Sequence, residues 1–295
     1  MTKHLLSLVL ALLSFSLHAS SKPYSINMDA GILHDDNVGR ASLASDIVSD
    51  TILTLGLNAD YSYHLDDHHL LIFSAGIESY QYQDFDKLSN TLLFTRADFK
   101  FQPHHGFTAP WYLVSLEYST ANYNSNLRDT TGLTFELGIG KRLTDRITLR
   151  SGLVYESYDA DASEFDNDNS RIYISSDYKL SEHNIAYLTL AYTDGNTTTS
   201  TTDLTTSSKA SNTPRFAHHL PSEVNTLTLR ADDAFRNGFV YQLDTESSSM
   251  HLGINFGLSS HQSVDTSIFY FRSDSFGSDT YDGTILQLSY LHRFQ

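Results

Sequence analysis

The chain has 295 residues, carries a formal net charge of −16 and contains no cysteine. An acidic surface repels nucleic acid, so we expect no DNA or RNA partner. Apart from a run near the N-terminus, no apolar run reaches the roughly 18 residues that a membrane-spanning helix needs, which excludes helical spans. Tyrosine (18) and phenylalanine (17) far outnumber tryptophan (1), as is typical of strands whose rings lie in two belts at the lipid headgroups.

The first segment has the features of an export signal. Lys3 precedes the apolar run Leu5–Leu17, and small residues follow from Ala19. This order of basic, apolar and small residues predicts a secretory signal peptide over residues 1–19. The remainder, residues 20–295, is then the exported protein.

Beyond this leader, apolar and polar side chains alternate with a period of two. From Tyr24 onward, Ile26 and Met28 fall on one face of an extended chain, and Asn27 and Asp29 fall on the other. A strand with lipid on one side and water on the other needs this alternation. We therefore predict an all-β fold, a transmembrane antiparallel up-and-down β-barrel of about 12 strands. The predicted strands cover residues 24–33, 53–63, 71–80, 93–101, 112–119, 133–142, 147–156, 171–179, 185–193, 239–258, 264–273 and 283–294.

The breaks between these strands alternate in length. Residues 34–49 form a long polar break, for example, and residues 65–68 form a short one. Long extracellular loops and short periplasmic turns produce this order, and an even number of strands places both termini in the periplasm. A barrel of about 14 strands stays open as an alternative, with an extra strand at 224–231 and two at 239–258. A soluble β-sandwich or β-solenoid is the rival fold, but it does not explain the alternating lengths.

Two of the predicted loops have unusual compositions. The longest, residues 194–238, opens with the Ser/Thr-rich stretch Asn196–Thr213, which cannot bury enough apolar area to become ordered, so we expect a mobile external loop. The acidic loop Asp159–Asn169 resembles a calcium loop, but Glu164 stands where an EF-hand needs glycine and Ser170 where it needs glutamate. We interpret it as a solvated acidic loop, with weak Ca²⁺ or Mg²⁺ bridging to lipopolysaccharide phosphates as the alternative.

The polar faces of the predicted strands carry charges of both signs. Such charges on the inner wall of a barrel are costly unless they are hydrated or paired, which favours a water-filled lumen over a plugged, salt-bridged interior. Basic residues are concentrated between Arg142 and Lys179, which favours a modest preference for anions or sugar acids. The predicted pore-lining residues are Arg96, Asp98, Lys100, Glu117, Glu136, Arg150, Glu156, Arg171, Asp177, Arg272 and Arg293.

The histidines do not predict a metal or catalytic site. Adjacent residues such as His68 and His69 point to opposite sides of an extended chain, so we interpret them as polar turn residues and predict no metal and no cofactor. His292 has no serine partner in a context that supports nucleophilic catalysis. We therefore predict that the protein is not an enzyme.

The last predicted strand resembles that of a known group of proteins. The segment Gly283–Phe294 has one mostly apolar and aromatic face, which carries Tyr290 and Phe294, and one mixed face, with only Gln295 beyond it. It resembles the closing strand of Gram-negative outer-membrane β-barrel proteins of the porin-like type, which end in an aromatic residue. The resemblance implies that Tyr290 and Phe294 form the signal recognised by the barrel-assembly machinery.

A second resemblance covers the first strand and loop. Residues Gly31–Ala41 are similar to the opening of barrels of the surface-lipoprotein assembly modifier type. That family carries a helical-repeat domain ahead of its barrel, for which we see no room here. The resemblance therefore implies a barrel but no role in lipoprotein export.

Together these features predict a monomeric barrel in the cell outer membrane, in contact with membrane lipid and lipopolysaccharide. We expect a small porin or channel for the passive passage of small hydrophilic solutes. The alternative is a surface-exposed structural or adhesive barrel that acts through its extracellular loops, and an outer-membrane enzyme is less favoured.

Overall fold

The computed structural model describes residues 23–201, 230–235, 238–275 and 280–294, and the predicted signal peptide lies outside them. No helix in this part of the chain is long and apolar enough to cross a membrane. The strands are β1 (Tyr24–Asp35), β2 (Asp50–His64), β3 (His69–Tyr82), β4 (Asn90–Phe101), β5 (Trp111–Tyr123), β6 (Thr130–Arg142), β7 (Ile147–Ala160), β8 (Asn167–Lys179), β9 (Asn184–Thr201), β10 (Arg230–Asp232), β11 (Gly238–Gly257), β12 (Gln262–Ser275) and β13 (Thr280–Phe294). Short 3-10 helices cover Asp86–Leu88 and Ser163–Phe165.

The strands form a single closed ring. Each one pairs antiparallel with the next along the chain, except that β9 pairs with β11, and β13 pairs back to β1 through partners such as Ile26 and Phe294. The short β10 pairs only with the outer end of β11 and is no part of the ring. The wall is therefore a closed up-and-down barrel of 12 antiparallel strands, and the predicted fold class is confirmed.

The alternative architectures are wrong. The segment 239–258 is not divided, because Gly238–Gly257 is one continuous strand. Of the segment 224–231, the structure describes Arg230 and Ala231, which belong to β10 outside the ring, and residues 224–229 lie outside the described chain. A sandwich has open sheet edges, whereas the pairing of β1 with β13 leaves the wall without an edge.

The pairing register separates the side chains into an outer and an inner face. Residues directly opposite in an antiparallel pair point the same way, so the face of one residue fixes the face of its partner. The outer face carries many exposed aliphatic side chains. Leu53, which is 59% exposed, is one of them. A continuous belt of such side chains is stable only against lipid. Exposed tyrosines flank the belt, with Tyr63, Tyr112 and Tyr178 towards one end of the barrel and Tyr118, Tyr155 and Tyr192 towards the other.

The connections follow the predicted alternation of lengths only in part. Both ends of the described chain lie at one end of the barrel, termed here the periplasmic end because outer-membrane barrels keep their termini there. The opposite, extracellular end includes the loop 36–49 and the described segment 230–235, and the periplasmic turn 65–68 is short, as predicted. Two connections depart from the alternation: the periplasmic connection 102–110 is longer than the turn 65–68, and only residues 276–279 separate β12 from β13 at the extracellular end.

The apolar core of the molecule lies at the extracellular end. Phe165 and Ala162 of the β7–β8 loop and Val240 of β11 form a buried cluster, against which Leu127 and Ala160 pack. A barrel wall between lipid and water does not itself enclose such a core. The loops at this end therefore fold over the mouth of the barrel.

Candidate functional site: the lumen and its two mouths

The inner face carries most of the predicted pore-lining residues. One row of register partners runs from Asp98 through Ser115, Glu136 and Val154 to Arg171, so these side chains share a face. Ser115 donates a hydrogen bond to Asp98 across this face at 2.6 Å. The register places on the inner face Arg96, Asp98, Lys100, Glu117, Glu136, Arg150, Glu156, Arg171, Asp177 and Arg293.

Arg272 is the exception, and the prediction that it lines the pore is wrong. It pairs with Asp282 and shares the outer face with Tyr270. Asp265, on the same strand, faces the lumen, and an odd number of positions separates it from Arg272, so an unbroken strand turns the two to opposite sides. The aromatic run Phe269–Phe271 interrupts the apolar and polar alternation, so the sequence does not show which face each residue takes.

Several arginines of the inner wall are neutralised by a neighbouring carboxylate. The pairs, measured between nitrogen and oxygen, are Arg150–Asp177 at 2.9 Å, Arg171–Glu156 at 3.2 Å and Arg96–Asp98 at 3.4 Å. All of these residues belong to β4, β7 or β8. A paired arginine contributes little net charge to the lumen, so the cluster of basic residues in the sequence overstates the positive field there.

A second sector of the wall, on β1 to β3, carries carboxylates that have no cationic partner among the described residues. Asp29 and Glu78 are both register partners of Gly56, one on each side. Asp60 accepts hydrogen bonds from neutral donors, namely Ser25, Asn27, Asn58 and Ser74. In the order of strands round the ring, β2 lies opposite β8, so the acidic sector faces the two ion pairs of β7 and β8. Such a division directs an electric field across the lumen, which orients polar solutes.

Aromatic rings lie against the inner wall opposite glycines. At Gly140, for example, an added Cβ would come within 2.2 Å of the Trp111 indole. The glycine therefore leaves the space into which the ring packs, and the ring does not have to project towards the axis. The register pairs of this kind are Phe94–Gly76, Trp111–Gly140, Tyr158–Gly132, Tyr173–Gly152, Tyr187–Gly253 and Phe271–Gly283.

At the extracellular end, the outer part of the β9–β11 hairpin folds into the mouth. Because β9 continues to Thr201, residues 196–201 of the predicted mobile loop are paired strand, which corrects that prediction, and residues 202–213 lie outside the described chain. Both faces of the hairpin are buried there, with Val240 0% and Tyr241 3% exposed. A hairpin that stood free in water would expose at least one face.

Two ion pairs join the segment before β11 to neighbouring loops. Arg128, in the β5–β6 loop, donates to Asp232 at 2.5 Å, and its guanidinium lies 4.1 Å over the Phe165 ring. Arg230 donates to Glu164, in the β7–β8 loop, at 2.7 Å. The side chains of Asp232 and Glu164 are 0% and 3% exposed. The interpretation of 159–169 as a solvated loop is therefore wrong for Glu164, which is buried and paired.

Contacts with the remaining loops complete a cover over the mouth. Phe235 lies 4.9 Å from Phe85 of the β3–β4 loop, measured between ring centroids. The backbone N–H of Ser200 donates to the Gly39 carbonyl of the β1–β2 loop at 3.0 Å. Because these loops are spread round the ring, the segment 230–235 lies across the opening. The extracellular cap is defined here as residues 36–49, 83–89, 124–129, 161–166 and 230–235.

The β1–β2 part of the cap is fixed by its own polar contacts. Arg40 donates to Asp35 at 2.8 Å and lies 4.5 Å over the ring of Phe271 on the inner wall. Asn37 donates to the carbonyl of Asp282 at 2.9 Å and so ties the loop to β13. These residues belong to the segment that resembles the opening of lipoprotein assembly modifier barrels, and here they order a loop over the lumen.

At the periplasmic end, the lumen contains a cavity of about 490 Å³, termed here the vestibule. Its lining includes Lys100, Trp111 and Arg142 from the inner wall and Phe107 from the long connection 102–110. The unexpected length of that connection is thus explained, because it folds back over the periplasmic mouth instead of forming a tight turn.

His68, in the 65–68 turn, and His69, the first residue of β3, make ordinary polar and ring contacts. The His68 ring shares a hydrogen bond with the Gln102 carbonyl at 2.7 Å, and the His69 ring stacks on Phe101 at 4.9 Å. Hydrogen bonds from the backbone N–H of His68 and from His69 hold the pKa of Asp66 below its ordinary value. In the part of the chain that the structure describes, no group of three His, Cys, Asp or Glu side chains is arranged to hold a metal ion.

Comparisons with known proteins bear on the fold. No protein-family model and no curated protein sequence matches the chain. The COG4313 outer membrane channel from Pseudomonas putida F1 has a similar structure, with a TM-score of 0.62 over 95% of this chain and 98% of that one, at 12% sequence identity. The protein has the fold of an outer-membrane β-barrel. Two porins are more distant. The NanC porin has a TM-score of 0.44 at 7% identity, over 90% of this chain and 98% of that one, and the KdgM porin in complex with disordered oligogalacturonate has a TM-score of 0.43 at 7% identity, over 91% and 99%. At these TM-scores neither likeness supports an argument.

In this barrel, the proposed assembly residues lie on the outer face of the closing strand. Tyr290 and Phe294 flank His292, whose ring centroid lies 4.4 Å from that of Phe294. Their recognition by the assembly machinery stays a prediction.

Sequence reasoning missed the cap residues of this barrel altogether. Arg128 lies in a loop and Asp232 in the three-residue strand β10, 104 positions further along the chain, so no local pattern relates them. The glycine–ring pairs had a usable signal, because Gly76 and Gly140 recur on polar faces of strands, where a glycine otherwise weakens pairing.

Proposed function

We propose that the protein is a channel for the passive passage of small hydrophilic solutes and that the extracellular cap restricts entry. The inner wall supports this proposal, because charged and polar side chains line it from β1 to β8 and rings are packed against glycines. The wall itself therefore offers a hydrated path. Buried side chains lie at the extracellular mouth, which supports a restriction of entry by the cap.

Ion selectivity tests the channel proposal. Arg150→Ala or Arg171→Ala leaves Asp177 or Glu156 unpaired in the lumen, so the reversal potential in a salt gradient should move towards cation preference. One unit charge at 4 Å in water is worth about 1 kcal/mol, which corresponds to an approximately fivefold change in local ion concentration. Arg272→Ala, on the outer face, is the matched control and should leave selectivity unchanged.

Planar lipid bilayers provide the measurement. Discrete current steps from the purified protein would support a channel. Absence of any conductance, or an Arg272→Ala effect as large as that of Arg150→Ala, would refute the proposal.

A loop deletion distinguishes the channel from the adhesive alternative. Removal of residues 202–213 should leave a channel conducting, whereas an adhesin that acts through this loop should lose binding to its partner. Residues 196–201 must be kept, because they are paired strand. The monomeric state, contact with lipopolysaccharide and lack of enzymatic activity stay predictions.

A further inference from the structure

The vestibule at the periplasmic mouth combines a cavity with unpaired positive charge. Its volume of about 490 Å³ falls within the range of roughly 300–1,000 Å³ that is typical of small-molecule sites. Lys100 and Arg142 both face it from the inner wall. In the described ranges neither of them forms an ion pair with a carboxylate, in contrast to Arg150, which also lines the cavity and is held by Asp177.

The acidic groups near the vestibule do not neutralise these cations. Asp66 and Asp67 lie in the turn at the rim of the cavity. Asp66 already accepts hydrogen bonds from the backbone N–H groups of His68 and His69, at 2.8 and 2.9 Å. Hydrogen-bonding capacity on Lys100 and Arg142 is therefore left for a solute.

Aromatic rings stand beside the cations. The indole of Trp111 packs against Gly140 with part of its surface towards the cavity, and Phe107 lies with its ring centroid 5.3 Å from the Arg142 guanidinium. Aromatic surfaces stack on flat, weakly polar rings, and ammonium or guanidinium groups bind carboxylates through charge-assisted hydrogen bonds. The two kinds of group fit one solute only if that solute carries both a ring and an anionic group.

We propose that the vestibule is a binding site for a small ring-bearing carboxylate, with Lys100 and Arg142 holding the carboxylate and Trp111 the ring. This proposal deepens the channel function and rests on it, since such a site on the inner wall selects solutes in transit. Aromatic acids and cyclic sugar acids both have this chemistry. Benzoate serves as the probe for aromatic acids, and glucuronate serves as the probe for sugar acids.

Tryptophan fluorescence tests binding directly. Trp111 is the single tryptophan of the chain, so the emission of the purified barrel in detergent reports on this cavity alone. Benzoate, glucuronate or both should change the emission saturably. Acetate, which lacks the ring, and benzyl alcohol, which lacks the charge, should bind at least about tenfold more weakly, the equivalent of about 1.4 kcal/mol.

The charge-removing variants decide the assignment. Lys100→Gln combined with Arg142→Gln should raise the apparent dissociation constant of the bound probe at least about tenfold. Lys141→Gln is the matched control, because Lys141 lies next to Arg142 on β6 but on the outer face. Equal binding of benzyl alcohol and benzoate, or unchanged binding by the double variant, would overturn the site.

Current measurements separate this site from the channel proposal. The probe that binds, added on the periplasmic side of a planar bilayer, should reduce current at concentrations that saturate the fluorescence change. Conductance without fluorescence binding would overturn the vestibule site and leave the channel intact. Fluorescence binding without any conductance would overturn the channel and, with it, the transit role of the site.

Discussion

At the scale of single residues, the glycine–ring pairs determine how much of the lumen is free. A ring that packs opposite a glycine occupies the wall, whereas the same ring opposite a larger side chain has to move towards the axis. The Trp111–Gly140 pair is the tightest of these contacts, at 2.2 Å for an added Cβ. The sequence shows the glycines but not their partners, because the partner depends on the register between strands.

Gly140→Ala should displace Trp111 into the periplasmic mouth. Overpacking usually costs about 1–3 kcal/mol, but the open lumen lets the indole rotate away, so we expect lower single-channel conductance and an altered tryptophan emission maximum with little loss of stability. Gly138→Ala is the control two positions along the same face, where an added Cβ would meet its nearest atom at an ordinary 3.4 Å. The packing account fails if both variants change the emission equally.

At the scale of elements, the β9–β11 hairpin differs from the rest of the wall. Its strands have 18 and 20 residues, whereas a tilted strand needs only about 9–11 to cross a bilayer. The excess folds over the mouth, and it is there that Val240 becomes fully buried. Composition predicted a mobile loop because serine and threonine bury little apolar area. Residues 196–201 are nevertheless ordered by backbone pairing with β11, which supplies the apolar side chains that they lack.

Val240→Ala should loosen the hairpin without affecting the barrel. Loss of two buried carbon groups removes about 1.6 kcal/mol at roughly 0.8 kcal/mol each, so backbone amides of the outer hairpin should exchange hydrogen about tenfold faster. Amides of β1 to β4 should keep their exchange rates. Val114→Ala, on the lipid-facing side of β5, is the control, and equally fast exchange in that variant would contradict a core centred on Val240.

At the scale of the whole molecule, the two mouths have different chemistry. The extracellular mouth holds the cap, with buried ion pairs and the apolar cluster. The periplasmic mouth contains the vestibule, where Lys100 and Arg142 form no ion pair within the described chain. A solute that crosses the barrel must therefore pass a mechanical restriction at one end and a charged, aromatic site at the other. The acidic and ion-paired sectors of the wall lie between them.

Arg128→Gln should open the extracellular mouth. The substitution leaves the Asp232 carboxylate buried without its cationic partner, which usually costs about 3–5 kcal/mol of stability. Separation of residues 230–235 from the β5–β6 loop relieves this cost. We expect a severalfold rise in single-channel conductance, with Arg146→Gln in an exposed periplasmic turn as the control. Unchanged conductance in Arg128→Gln, despite faster hydrogen exchange in the cap, would show that the cap does not limit passage.

Whereas the closed ring decided between 12 and 14 strands, the sequence by itself determined the barrel, a count of about 12 strands and which side of most strands faces water. Each of these follows from a period of two, which is a local property of an extended chain between lipid and water. Only where the period is interrupted, at Phe269–Phe271, did it misplace a residue, Arg272. The cap, the vestibule, the pairing of wall arginines and the glycine–ring pairs were decided by the tertiary structure. They depend on which strands and loops become neighbours round the ring, and no local pattern encodes contacts between residues as distant in the chain as Arg128 and Asp232.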